Sequence, residues 1–238
     1  MDGVVRIVVQ ARMNSSRLPG KILAELAGRP LLEYVVRRLQ AVRLADGSSC
    51  EVLVATTMAA ADDATEAACR RLDVRCFRGS ETDVLARYVA ATADLTEDDV
   101  VVRATADNPL YCPRRTARII EQHLQQRNDY TCIAKLSYVV PEAIRAGALR
   151  RMAGLATSAY CREHVTPYFR QQDGTFRVMQ LPDNWQGLQP GIRLTVDTPA
   201  ELARMRAICE AMAGDDPLVA LDDVYQWCRH ERAEQTAR

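Results

Sequence analysis

The chain has 238 residues, with 31 lysines and arginines balanced by 31 aspartates and glutamates for a formal net charge of zero. That length suits one large domain with a substantial core, and the balance gives no support for general affinity to nucleic acid or anionic membrane, so any anion binding must be local. Eight cysteines stand singly with no C-x-x-C pair, and no run approaches the roughly 18 apolar residues of a membrane span, which predicts reduced thiols and a cytoplasmic protein.

In chain order, Val4 to Val9 reads as a buried strand. Leu31 to Val42 carries apolar residues at 32, 35, 36, 39 and 42, the spacing of an amphipathic helix. Glu51 to Ala55 is a second strand, Asp62 to Leu72 a second helix and Val74 to Phe77 a short strand. Ser80-Glu81-Thr82-Asp83 has the form of a capping box opening a helix with Val84, Leu85, Tyr88 and Val89 on one face. Val100 to Val102 is the next strand, and a helix follows from Pro113 to about Gln126. This alternation predicts an α/β domain, with a mostly parallel sheet between helices on both faces. From about residue 129 to 176 the pattern breaks into short pieces, expected to form a small insertion on a single domain spanning 1–238. Regularity returns with a strand at Ile192 to Val196 and a helix marked by Thr198 as cap, Pro199 at its first position and Glu201 completing a capping box. A last helix is expected from Pro217 to His230, and Glu231 to Arg238 as a frayed tail.

In an open parallel sheet, ligands bind where loops converge at the carboxyl ends of strands. The first such loop reads QARMNSSRLPGK, residues 10 to 21, and holds Arg12, Arg17 and Lys21 with Ser15 and Gly20 between them. Cations and loop amides of this kind can cradle a polyphosphate, and they can equally form a solvated loop. Neither a Walker loop nor G-x-G-x-x-G is present. Asp107, after the strand at Val100, and Asp197, after that at Ile192, fit either turn formation or a divalent metal. Two carboxylates facing a cationic loop make a site that neither makes alone.

Seven runs in order from Gln10 to about Leu202 carry a family resemblance: QARMNSSRLPGK, GRPLLEYVVRRL, VATT, FRGSETDVLARY, RATADNPL, REHVTPYF and RLTVDTPAEL. Together they resemble the cytidylyltransferase family of CMP-sugar-acid synthetases, nearest its spore-coat polysaccharide branch. The resemblance implies a Rossmann-like nucleotidyltransferase of GT-A type that transfers CMP from CTP with release of pyrophosphate. It also implies Mg²⁺ as cofactor and a homodimer with contacts from the 129–176 insertion. On this sequence it implies that Arg12, Ser15, Arg17 and Lys21 hold the triphosphate, with the three cations acting catalytically. Ala11, Ala55, Thr56, Arg78, Gly79 and Ser80 would take the base and ribose, and Asp107 and Asp197 the metal. Ser80 serves equally well as a plain helix cap. His164 lies in a matched run and is read as a structural or dimer-contact histidine with no catalytic role.

The chain departs from the sugar-acid members at Lys135 to Ala143, which is short and lacks their Y-P-x-G-L-D segment. A shorter wall suits a smaller acceptor. Related cytidylyltransferases act on phosphonates, so a small phosphonate such as phosphonoformate is expected ahead of an eight- or nine-carbon sugar acid. Arg103, Lys135 and Arg193 are the candidates to neutralise its charge, and each fits equally as a surface or ion-paired cation. Two rivals remain. A nucleotide-sugar glycosyltransferase is disfavoured because no D-x-D occurs, and a non-catalytic nucleotide-binding module would be expected to lose some of these residues.

Overall fold

Apolar side chains on successive residues of the first strand, β1 (Val5–Gln10), go to opposite faces, Ile7 and Val9 to one core and Val8 to another. A strand buried on both faces belongs inside a sheet covered by helices on both sides, and the computed structural model, which describes residues 3–134, 139–171, 174–212 and 217–236, has that architecture. After β1 come a hairpin of β2 (Glu25–Leu26) and β3 (Arg29–Pro30), then α1 (Leu31–Gln40), β4 (Glu51–Thr57), α2 (Asp63–Arg71) and β5 (Arg75–Gly79). The hairpin turns through Ala27 and Gly28, both at positive φ (44° and 78°), the geometry a two-residue turn requires. Next are α3 (Val84–Ala91), β6 (Val100–Thr105), α4 (Pro113–Gln126), β7 (Tyr130–Ile133) and β8 (Glu142–Arg145). The chain ends with α5 (Ala146–Leu155), α6 (Ala159–His164), α7 (Pro167–Gln171), β9 (Val178–Leu181), α8 (Pro199–Met212) and α9 (Leu221–Thr236).

The seven-stranded sheet has the order β5-β4-β1-β6-β8-β7-β9, and only β8 runs against the rest. One face packs on α1, α4, α8 and α9 through residues such as Leu32, Val36, Ile120, Ile208 and Val224. The other packs on α3, α5, α6 and α7 through Leu85, Tyr88, Leu149, Cys161 and Phe169. Truncating the buried leucines, isoleucines or Phe169 among these to alanine costs about 2–5 kcal/mol. The fold is therefore the expected α/β class, with a mostly parallel sheet.

Four local expectations are corrected or refined. The cap of α3 is Asp83, whose side chain accepts from the Ala86 amide at 2.8 Å, whereas Ser80 Oγ accepts from the Asp83 amide in the turn before it. Ile192 to Val196 is extended, with Ile192, Leu194 and Val196 buried, but it joins no strand ladder. Its Val196 amide bonds instead to the Asp107 carbonyl at 2.9 Å, so alternation here reports one-sided burial rather than pairing. The last helix starts at Leu221 and continues through the expected tail to Thr236, with Glu231 paired to Arg204 at 3.5 Å. Finally, within 129–176, β7 and β8 are strands of the main sheet, and α5 to α7 cover the face they share with α3. Four-residue strands are too short to display a period.

Candidate active site

The carboxyl ends of β1 and β6 lie side by side, with Gln10 opposite Thr105 in the register. The loop leaving β1 is pinned at both ends. The Ala11 amide donates to the Ala55 carbonyl at 3.1 Å and the Met13 amide to Asp62 Oδ1 at 2.8 Å, while Gly20 turns the chain at φ +73° with its amide on the Met13 carbonyl. Asp62 is fully buried and also accepts from Thr57 and Thr65. It anchors the loop, and nothing local in the sequence distinguishes it from an ordinary first-turn aspartate.

Pinning brings Lys21 back over the strand ends. Its Nζ donates to Asp107 Oδ2 at 3.0 Å, to Asp197 Oδ1 at 2.9 Å and to the Val196 carbonyl at 2.9 Å, and the residue is only 8% exposed. Arg17 reaches the same Asp197 oxygen at 2.9 Å, and Arg193 takes the other at 3.0 Å. Burial pushes the Asp197 carboxyl up, but Lys21, Arg17 and Arg193 outweigh it and hold the group below the ordinary carboxylate range. Asp107 is oriented by Thr105, whose hydroxyl donates to Oδ1 at 2.6 Å, while Asn108 donates to that hydroxyl at 2.7 Å. Asp107 follows β6 by two residues, and Asp197 follows an extended segment that is not a strand. The two carboxylates meet because the Val196 amide ties that segment to Asp107, not because two strand ends adjoin.

A cavity of about 260 Å³ opens beside them, lined by Arg12, Ser15, Arg17, Lys21, Arg103, Asp107 and Asp197 among others. Gln10, Thr105, Glu163 and His164 also line it, and none of these four was expected in the site from sequence reasoning. Arg12 stands 3.9 Å from Glu163.

The comparisons with known proteins bear on this arrangement. A family profile described as "Cytidylyltransferase" matches residues 6–220. The chain belongs to the cytidylyltransferase family. It is similar to the spore coat polysaccharide biosynthesis protein SpsF of Bacillus subtilis, at 32% identity over 224 residues covering 92% of each chain. In fold it is similar to a cytidylyltransferase from Leptospira borgpetersenii, with TM-score 0.84, 24% identity and coverage of 97% of this chain and 96% of that one. It is also similar to a CMP:2-keto-3-deoxy-manno-octonic acid synthetase solved in complex with CTP, with TM-score 0.67, 19% identity and coverage of 88% and 99%. The protein is thus a nucleotidyltransferase.

In this cytidylyltransferase the remaining expected residues fall into two groups. Ala11, Ala55, Thr56, Arg78 and Gly79 form a row across the ends of β1, β4 and β5, with Thr56 paired to Arg78 and Thr57 to Gly79. Thr56 is buried and its hydroxyl has no hydrogen-bond partner. The guanidinium of Arg78 is committed elsewhere, to the Thr57 and Ala59 carbonyls and to Asp63 and Glu66, where it braces the connection into α2. Gly79 is required by packing rather than by its φ, since a Cβ there would stand 2.9 Å from the Phe77 ring. The Ser80 carbonyl accepts from Arg87 at 2.7 Å. Of the acceptor candidates, Arg103 lines the cavity, Arg193 lies outside it on Asp197 and Glu201, and Lys135 lies outside the described residues.

Proposed function

We propose that the protein transfers CMP from CTP to a compact anionic acceptor, a small phosphonate such as phosphonoformate ahead of a sugar acid, and releases pyrophosphate. One observation carries this reading. Three cations of one loop converge with Asp107 and Asp197 at a cavity of only about 260 Å³ that also exposes Arg103. An acceptor oxygen attacks the α-phosphorus in line, the bond to the bridging oxygen breaks, and pyrophosphate leaves. Such a transfer needs positioning and charge neutralisation rather than a protein nucleophile. Arg12, Arg17, Lys21 and Ser15 hold the triphosphate in this reading, and Ala11, Ala55, Thr56 and the Arg78–Ser80 segment take the nucleoside.

Asp107 and Asp197 suit Mg²⁺. Their oxygens already converge on one cation, the Lys21 ammonium, at 3.0 and 2.9 Å, and Mg²⁺ takes one or two carboxylates and completes its shell with substrate phosphates. When bound it would neutralise charge on the phosphates. Lys21 then exchanges its carboxylate partners for the leaving pyrophosphate. The same reading takes the protein as a homodimer, to which Leu155 and Tyr160, exposed on α5 and α6, contribute apolar surface.

The test is pyrophosphate release from CTP and Mg²⁺, with small phosphonates and eight- and nine-carbon sugar acids competing at equal concentration. A phosphonate is expected to win in kcat/KM. A clear preference for the sugar acid would leave cytidylyl transfer standing and replace the acceptor. CTP binding with no turnover across the panel would favour a binding module.

A further inference from the structure

Two polar atoms at the end of the sheet are buried without a partner and belong to side chains lining one cavity. Gln10 Oε1 and Arg103 Nε are enclosed by protein, and neither makes a hydrogen bond. In the register of β1 with β6, Val8 pairs with Arg103 and Gln10 with Thr105, so Gln10, Arg103 and Thr105 share the sheet face that carries α3 and α6. Buried polar atoms are nearly always satisfied, and an acceptor and a donor left open in one cavity call for a ligand that supplies both complements.

Arg103 is not free to swing to another partner. Its Nη1 donates to Glu142 Oε2 at 2.9 Å. The Glu142 carboxylate is 2% exposed and saturated, since it also accepts from Tyr130 at 2.6 Å, Arg170 at 2.6 Å and Thr166 at 3.1 Å. One carboxylate thus faces two guanidiniums, and the cluster keeps a net positive charge beside the cavity. Thr166 closes a three-residue turn on the His164 carbonyl at 2.8 Å, with the β-branched Val165 held at φ +67°, ψ −63°. A strained turn of this kind persists only where its surroundings over-determine it. Here it fixes His164 in the lining of the cavity.

We propose that Gln10 and Arg103 form the pair that reads the acceptor, Arg103 donating to an anionic oxygen and Gln10 accepting from an adjacent O–H, with Glu142 as the residue that positions Arg103. The proposal rests on the reading above that this cavity receives the acceptor. The recognised chemistry is an acid oxygen flanked by a hydroxyl, which a hydrogen phosphonate and a hydroxylated sugar acid both present.

The experiment uses the full chain with Mg²⁺ and measures CTP affinity by calorimetry and acceptor kinetics at saturating CTP, for phosphonoformate and for an eight-carbon 3-deoxy-ulosonic acid. Gln10→Met keeps the side-chain length and removes the hydrogen bond. It is expected to raise the KM of whichever acceptor the wild type uses at least tenfold, with CTP affinity changed less than twofold. Gln10→Glu sets a like charge against the acid and is expected to lose at least as much. Arg103→Lys is expected to lose acceptor kcat/KM, and because it leaves Glu142 differently paired, the Gln10 variants decide the matter if it fails to fold. Unchanged acceptor KM in both Gln10 variants, or an equal loss of CTP affinity, overturns the pair. If the wild type uses the sugar acid and not the phosphonate, the acceptor named above falls while the pair is tested on the sugar acid. A wild type that binds CTP and turns over no acceptor overturns both.

Discussion

Lys21 is the residue on which the site turns, because one ammonium satisfies two carboxylates and a carbonyl that would otherwise face one another. Charge-assisted contacts to phosphate are worth about 1.5–3 kcal/mol, so Lys21→Ala is expected to lower CTP binding or kcat/KM at least tenfold. Arg37, exposed on α1 and 3.4 Å from Glu33, makes a pair of the kind worth about 0.3–0.5 kcal/mol. Arg37→Ala should therefore change little, and equal small effects from the two variants would return the loop to a merely solvated one. Asp107→Asn and Asp197→Asn are each expected to abolish most turnover while the circular dichroism spectrum stays native. Near wild-type turnover with Mg²⁺ in either variant would remove that residue from the metal site.

Capping chemistry sets the position of Asp197 at the scale of elements. Glu201 Oε2 accepts from the Asp197 and Thr198 amides and from the Thr198 hydroxyl, while the Glu201 amide returns to Thr198 Oγ1, so the start of α8 and the site carboxylate are one assembly. On the same face of the sheet, α4 packs on β7 through His123, 2% exposed, whose Nδ1 lies 2.9 Å from Thr131 Oγ1. Burial, aided by Arg145 and opposed by Asp129, lowers its pKa from 6.5 to about 4. The folded state therefore keeps His123 neutral while the unfolded chain protonates it, and stability falls as pH drops from about 6.5 towards 4. At about 1.4 kcal/mol per pH unit this amounts to at most about 3.5 kcal/mol. Denaturant unfolding of wild type and His123→Gln across that range should show the wild type losing its advantage on acidification. A constant difference between them would mean that the imidazole does not titrate on unfolding.

For the whole molecule, ligand and fold are linked, because the site joins the loop after β1, the turn after β6 and the segment before α8. A nucleotide that binds only this assembled site stabilises the fold by about 2.7 kcal/mol at a hundred times its Kd. For a chain of this size that corresponds to a rise in Tm on the order of 5–10 °C. CTP with Mg²⁺ is expected to produce it and GTP to produce much less, as read by differential scanning fluorimetry. Equal shifts from both would show that the base is not read.

The amino-acid sequence by itself determined the α/β class, the helix start at Thr198-Pro199-Glu201 and the cationic loop, because capping, periodicity and local charge are encoded within a few neighbouring residues. It also placed Asp107 after a strand, whereas the segment before Asp197, read as a strand, lies outside the sheet. Only the tertiary structure decided that the two aspartates meet through Lys21 and a backbone bond between Val196 and Asp107, since contacts between residues 21, 107 and 197 depend on strand order, which no local pattern carries. The same holds for Arg78, whose guanidinium braces the chain after β4, and for β7 and β8, which are too short to show a period. Gln10 lay unnoticed at the head of the motif because an unsatisfied amide oxygen exists only once the walls around it are built.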